Sequence, residues 1–252
     1  MLRWDSIIFG PIHSRRLGNS LGIDVIPYKT CSLDCVYCEC GKTTEFTNER
    51  KEYISADEII TALDEFLAQN TKPIDVITFA GSGEPLLNSG IGKIISHIKE
   101  KYPQFKVAFI TNSVLLADKN AREEILSADY VLPSVDAMFE ESFQKINCPA
   151  KGVSVNDVLD GLREFAKIFK GILWVEYFVI QGINDSEVEL LAFKKYFEEI
   201  KPTMIQLNSL DRKGTCDWVK PASFERLQEI AKFFTVAGHP PLPVEIIKRE
   251  KK

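Results

Sequence analysis

Along the 252-residue chain, short apolar runs alternate with longer stretches whose apolar positions recur at helical spacing. The runs predict strands at 21–26, 75–80, 106–112, 129–136, 173–181 and 203–209. The stretches predict helices near 55–69, 88–101, 117–127, 153–170 and 186–200, with a last one at 221–235. Ser55 with Glu58 reads as a capping box that starts the first helix, and Pro221 suits the first turn of the last. Residues 243–247 read as a short edge strand and 248–252 as a solvated basic end. Alternating strand and helix implies parallel strands joined by helical crossovers. Six such units are too few for an eight-fold barrel, which leaves a partial (β/α)6 barrel or an open doubly wound sheet, both of α/β class.

Strand polarity adds to this picture. Parallel strands covered on both faces read almost continuously apolar, yet Asp24, Thr78, Ser134, Asp136, Glu176, Gln206 and Asn208 interrupt these. Pairs two apart within a strand share a face. Glu176, set among Trp174, Val175, Tyr177 and Phe178, is costly to bury unpaired. Either these groups satisfy one another inside a barrel, or they line a polar lumen that receives cofactor and substrate. Barrel sites form at the C-terminal ends of strands.

Composition is that of an ordinary soluble protein, with 45% hydrophobic and 27% charged residues, and the length suits one domain over 1–252. The longest apolar candidate, 171–180, is interrupted by Glu176 and falls short of the ~20 residues a membrane span needs. No basic segment followed by an apolar stretch opens the chain, so a cytoplasmic protein with no membrane association is expected. A net charge of −5 and a pI near 5.4 argue against broad nucleic-acid binding but leave room for a local basic patch.

The chemistry concentrates at Cys31, Cys35 and Cys38. Three closely spaced thiolates can hold three corners of a [4Fe–4S] cube and leave one iron open to a small molecule. A zinc site completed by Cys40, or buried free thiols, are the alternatives. Cys40, Cys148 and Cys216 are the alternative for a second cluster, although their wide separation matches no known ligand pattern.

The run Cys31-Ser-Leu-Asp-Cys35-Val-Tyr37-Cys38, with an aromatic residue before the last cysteine, resembles the radical S-adenosylmethionine (SAM) superfamily. So do Gly81-Ser82-Gly83-Glu84-Pro85 after the second strand, Thr111-Asn112-Ser113 after the third, Ser134-Val135-Asp136-Ala137 after the fourth and Gly182-Ile183-Asn184-Asp185 after the fifth. Ser82 departs from the usual glycine but keeps a small side chain. The segment 9–24 together with the cysteines is similar to the branch allied to the wybutosine-synthesis tRNA enzymes. The resemblance implies a partial TIM-type barrel, a [4Fe–4S] cluster on Cys31, Cys35 and Cys38, and SAM on its open iron. It further implies reductive cleavage of SAM to a 5′-deoxyadenosyl radical that abstracts hydrogen from substrate. SAM contacts are then expected from Tyr37, Ser82, Gly83, Glu84, Thr111, Asn112, Ser134, Asp136 and Asn184. A carboxylate such as Glu84 can receive an ammonium group, and the polar strand ends can bond a ribose diol. Asn184 or Asp185 reads equally well as a helix cap before Glu187.

Substrate contacts are expected from Arg15, Arg16, His13, Glu176 and Asn208, with 1–20 as an anion-contacting segment and 236–252 as a C-terminal extension. An arginine fork suits a carboxylate or phosphate, although an ion pair with a carboxylate such as Asp24 is the alternative. His13 reads as a proton donor or as a merely packed or exposed ring. The resemblance leaves the substrate as a small molecule, an RNA nucleoside or a peptide, and implies a low-potential electron donor such as a flavodoxin or ferredoxin. Basic runs are short, at Arg50-Lys51, Lys194-Lys195 and the C-terminus, which weighs against tRNA as the first choice. A protein radical activase or maturase is a further enzymatic reading. An iron–sulfur electron carrier needs neither the glycine-rich loop nor a polar lumen.

Overall fold

A computed structural model describes residues 7–236 and 241–247. Strand β1 (Ile8–Ser14) turns antiparallel into β2 (Gly18–Ile23), and two short strands, β3 (Thr30–Cys31) and β4 (Glu45–Phe46), pair with each other. The chain then alternates through α1 (Ala56–Gln69), β5 (Val76–Phe79), α2 (Ile91–Lys101), β6 (Lys106–Thr111), α3 (Lys119–Glu124) and β7 (Tyr130–Pro133). It continues through α4 (Glu140–Asn147), α5 (Val155–Ile168), β8 (Ile172–Phe178), α6 (Glu187–Ile200), β9 (Met204–Asn208), α7 (Phe224–Val236) and β10 (Val244–Ile246). The sheet order is β1-β2-β5-β6-β7-β8-β9-β10, and every neighbouring pair from β2 onward is parallel. Six βα units thus form a partial barrel, with an antiparallel strand added at one edge and β10 at the other.

The two sheet faces follow the strand period of two. Leu21, Ile23, Ile77, Phe79, Val107, Phe109, Val131, Val175, Tyr177, Ile205 and Leu207 take one face and are each 0% exposed, in the main core with the helices. Their neighbours take the other face, where the register sets Gly22 beside Thr78, Ser134 beside Glu176, and Glu176 beside Gln206. This inner face is apolar at its lower end, where Leu17 packs with Val76, Ala108, Ile110, Tyr130, Leu132 and Trp174. Above that plug the polar groups meet: Arg16 donates to Glu176 Oε2 (2.7 Å) and Gln206 Oε1 (3.2 Å), and Asn208 Nδ2 to Glu176 (3.4 Å). Arg16 sits on the β1–β2 turn and its acceptors on β8 and β9, so the contact spans the curvature that makes the sheet a barrel.

Several expectations need correction. Strand β1 carries Gly10 and Pro11 and lacks alternation; the hairpin forms because β2 offers it an edge, with a register shift between Phe9 and Ile12. β2 therefore occupies 18–23 instead of 21–26. Helix α4 was not anticipated, and the helix expected at 117–127 is divided. A short 3-10 turn, Val114–Ala117, ends at Asp118, whose carboxylate accepts from Asn120 (2.7 Å) and Ala121 (3.2 Å) and starts α3. Pro221 lies ahead of α7. Ser55 caps α1 by accepting the Glu58 N–H (3.2 Å), but Glu58 takes the Ser55 hydroxyl (3.3 Å) and not its backbone. The reciprocal box occurs instead at Ser154 and Asp157 of α5. β10 falls within the expected 243–247 edge strand, while 1–6 and 248–252 lie outside the described residues. No described helix is long and apolar enough to cross a membrane.

Candidate functional site

The loops leaving the C-terminal ends of β2, β5, β6, β7 and β8 gather around the cysteine segment. Each of its three thiols meets a nitrogen donor from a different part of the chain. Asn112 Nδ2 lies 3.5 Å from Cys31 Sγ, Asn147 Nδ2 3.4 Å from Cys35 Sγ, and Lys29 Nζ 3.3 Å from Cys38 Sγ. Burial pushes the Cys31 thiol up to about 12 and Cys35 well above the usual thiol value. Cys38 goes the other way, to about 5, because the Cys40 thiol hydrogen-bonds to it and Lys29 adds its charge. Among the described residues, no three His, Cys, Asp or Glu side chains converge where one metal ion could sit. A cubane draws its ligands from separated corners, and three partly buried thiols with N–H donors suit it. Cys40 Sγ instead faces the Gly81 carbonyl (3.8 Å), while Cys148 and Cys216 pack with Val36 in a small apolar cluster.

The loop after β5 is stitched to this segment. A Cβ added at Gly83 would sit 2.0 Å from the Thr30 carbonyl oxygen, so only glycine permits the approach, and the Glu84 N–H donates to that same carbonyl (3.1 Å). Ser82 gives its N–H (2.9 Å) and hydroxyl (2.8 Å) to Asp24. Asp24 is thus a partner of Ser82, while Arg15 pairs with Asp211 (3.3 Å) and Arg16 with Glu176.

Glu84 departs from the expected ammonium contact. Its carboxylate is 2% exposed and accepts from Leu86 N–H (2.9 Å), Thr111 Oγ1 (2.8 Å) and Asn112 N–H (2.7 Å). Burial pushes its carboxyl up to about 7, against these three donors that pull it down. The Thr111 hydroxyl is spent on Glu84, and Asn112 is spent on Cys31, Ser32 Oγ (3.0 Å) and the Val114 N–H (3.1 Å). Asp136 is engaged in the same way: it accepts from Tyr37 Oη (2.5 Å), Asn147 Nδ2 (2.8 Å) and Phe178 N–H (3.1 Å). Burial raises its carboxyl to about 6 against those donors. Its oxygens hold Tyr37, whose ring stacks on Phe178 with centroids 3.8 Å apart, in place of the expected ribose contact.

Asn184 is not the helix cap. It is fully buried; Nδ2 donates to the carbonyls of Asp136 and Phe178 (both 2.8 Å), and Oδ1 accepts the Ile180 N–H (2.8 Å). Ser186 caps α6 instead. Asn184→Ala orphans three buried backbone groups and is expected to cost roughly 3 kcal/mol. For a chain of this size that is a Tm drop of about 6–12 °C, and a shift within about 2 °C by calorimetry contradicts the bracing role. His13 is exposed and pairs with Asn19 of β2, beside the turn that carries Arg15 and Arg16.

Tyr37, Asn112, Ser134, Asp136 and Asn147 line one pocket with Leu33, Ala137, Phe143 and Val158. Among the described residues, Asn147 Oδ1 is the buried side-chain atom with no hydrogen-bond partner. An unpaired buried acceptor is costly, and one bridging water would satisfy it. Sequence reasoning missed Asn147 and Lys29, which belong to no motif. It also missed the loop after β9, where Thr215 Oγ1 donates to the Cys35 carbonyl (2.9 Å) and Cys216 N–H to Val36 (3.1 Å).

A family profile described as the radical SAM superfamily matches residues 25–194. A protein named GTPase Obg from Brachyspira hyodysenteriae is 43% identical over 90% of this chain, which spans only 33% of that relative's length. A UPF0026 protein of Methanocaldococcus jannaschii is 34% identical over 91% of this chain and 71% of its own. The crystal structure of a radical SAM methyltransferase from Sphaerobacter thermophilus superposes with a TM-score of 0.67 at 14% identity, covering 90% of this chain and 66% of that one, a likeness of fold.

Proposed function

The chain belongs to the radical SAM superfamily, and within it to the UPF0026 group, and from that premise we propose that Cys31, Cys35 and Cys38 hold a [4Fe–4S] cluster beside a SAM pocket. The observation that carries this reading is the set of three partly buried thiols on one loop, each with its own N–H donor. Bound together, that pair of cofactors supplies reductive cleavage of SAM to methionine and a 5′-deoxyadenosyl radical that takes a hydrogen atom from substrate.

The chain's own residues then divide the work. Asn147 Oδ1, buried and unpaired, faces a narrow cavity of about 10 Å³ that Tyr37 and Ser134 help line, with room for no more than one bridging water. Tyr37, held by Asp136 and Phe178, forms a rigid wall on that side. Glu84 locks the loop after β5 onto Thr111 and Asn112, so that the backbone around Gly83, and not a carboxylate, meets the methionyl end. Substrate enters from the lumen side and meets the row of Arg16, Glu176 and Asn208, with Arg15 nearby on the same turn. An anionic group on a small molecule, nucleoside or peptide competes for Arg16 against Glu176. A flavodoxin or ferredoxin is the expected source of the electron.

The test is anaerobic reconstitution with iron and sulfide, reduction, and chromatography of the products of added SAM. Release of 5′-deoxyadenosine and methionine is expected, and candidate substrates are those that accelerate it. Iron-replete protein that leaves SAM intact overturns the reading.

A further inference from the structure

Of the three donors around the thiols, two are neutral amides and one carries a charge. We propose that Lys29 is a positioning residue whose buried ammonium sets the reduction potential of the cluster held by Cys31, Cys35 and Cys38, an inference that rests on the cluster assignment above.

Lys29 is 2% exposed and ranks among the largest fully buried side chains of the protein. A buried ammonium is expensive unless a negative partner compensates it. No described carboxylate forms an ion pair with it; its ammonium donates to Cys38 Sγ at 3.3 Å. The negative charge that justifies this lysine is therefore that of the thiolate cluster.

The backbone points the same way. Lys29 has φ +56°, in the left-handed region that favours glycine and strains any other residue. Its carbonyl accepts the N–H groups of Thr44 (3.0 Å) and Glu45 (3.1 Å), bonds that glycine would make equally well and without strain. What glycine cannot supply is the ammonium. Reduction adds one electron to a group already negative, and a fixed positive charge in a site of low dielectric stabilises the reduced form more than the oxidised one. The electron comes from the external low-potential donor, and Lys29 keeps its proton throughout.

The experiment compares wild type, Lys29→Met and Lys29→Arg, each reconstituted anaerobically, by redox titration monitored with electron paramagnetic resonance. Lys29→Met is expected to hold its iron and to be harder to reduce, with the oxidised-to-reduced ratio at a given potential raised about tenfold, equivalent to about 59 mV for one electron. Lys29→Arg is expected to recover most of that shift, which a merely packing role would not produce. Should Lys29→Met fail to assemble a cluster, Lys29→Gln keeps an N–H donor without the charge and is expected to show the same negative shift. Equal potentials in wild type and the neutral variant that assembles overturn the role of Lys29 while leaving the cluster intact. A wild type that stays colourless overturns the cluster assignment itself.

Discussion

Cys35→Ala is expected to leave the reconstituted protein colourless, free of stoichiometric iron and unable to form 5′-deoxyadenosine. The expectation is this stark because the loop does not depend on the sulfur for its shape. The Cys35 carbonyl accepts from Thr215 Oγ1 (2.9 Å) and the Cys38 N–H (3.0 Å), and Asp34 N–H is held by the Asn147 carbonyl (3.0 Å). Alanine keeps all of these and deletes one corner ligand. Two thiolates then remain where three are needed, and the spare thiol of Cys40 is hydrogen-bonded to Cys38, away from the emptied Cys35 corner. Cys40→Ala serves as the control and is expected to retain its iron. Iron analysis and absorbance decide the matter: a Cys35→Ala protein with a full complement of iron and intact SAM cleavage would falsify the ligand assignment.

Glu84→Ala is expected to destabilise the fold severely. The carboxylate satisfies the Leu86 N–H, the Asn112 N–H and the Thr111 hydroxyl at 2.7–2.9 Å, and it is 2% exposed. Removing it orphans three buried donors, each worth roughly 1–3 kcal/mol, so a loss of at least ~3 kcal/mol follows, most of the stability of many domains. Denaturant titration checks this by the fall in midpoint at unchanged slope. Thr111→Val removes one donor to Glu84 and the acceptor of the Ser113 N–H (3.1 Å), and should cost about 2 kcal/mol. If Glu84→Ala keeps wild-type stability but loses SAM binding, the carboxylate faces the ligand after all.

The loops that carry chemistry were legible because their signals are local. The cysteine spacing, the small residues of 81–83 and the polar residues ending each strand lie within a few positions of one another, and backbone periodicity alone delivers them to the strand ends. The same holds for the inward face: Thr78, Ser134, Glu176, Gln206 and Asn208 share a side of the sheet because side chains alternate at every residue. What each polar group does was not legible. Ser82, Glu84, Thr111, Asp136 and Asn184 were expected at a ligand, and each also has protein partners that no local signal foretold.

The sequence by itself determined six βα units, their apolar outer face and a cysteine loop beyond the first parallel strand, since periodicities of 2 and 3.6 and a ligand spacing are written in neighbouring residues. Tertiary structure alone decided that Asn147 meets Cys35 across 112 positions and Arg16 meets Glu176 across 160. It also decided that Lys29 is buried against a thiol and that β1 completes an edge. A buried polar group takes whichever partner the closing barrel brings within about 3 Å, and that choice is made by curvature and register, which no short stretch of chain encodes.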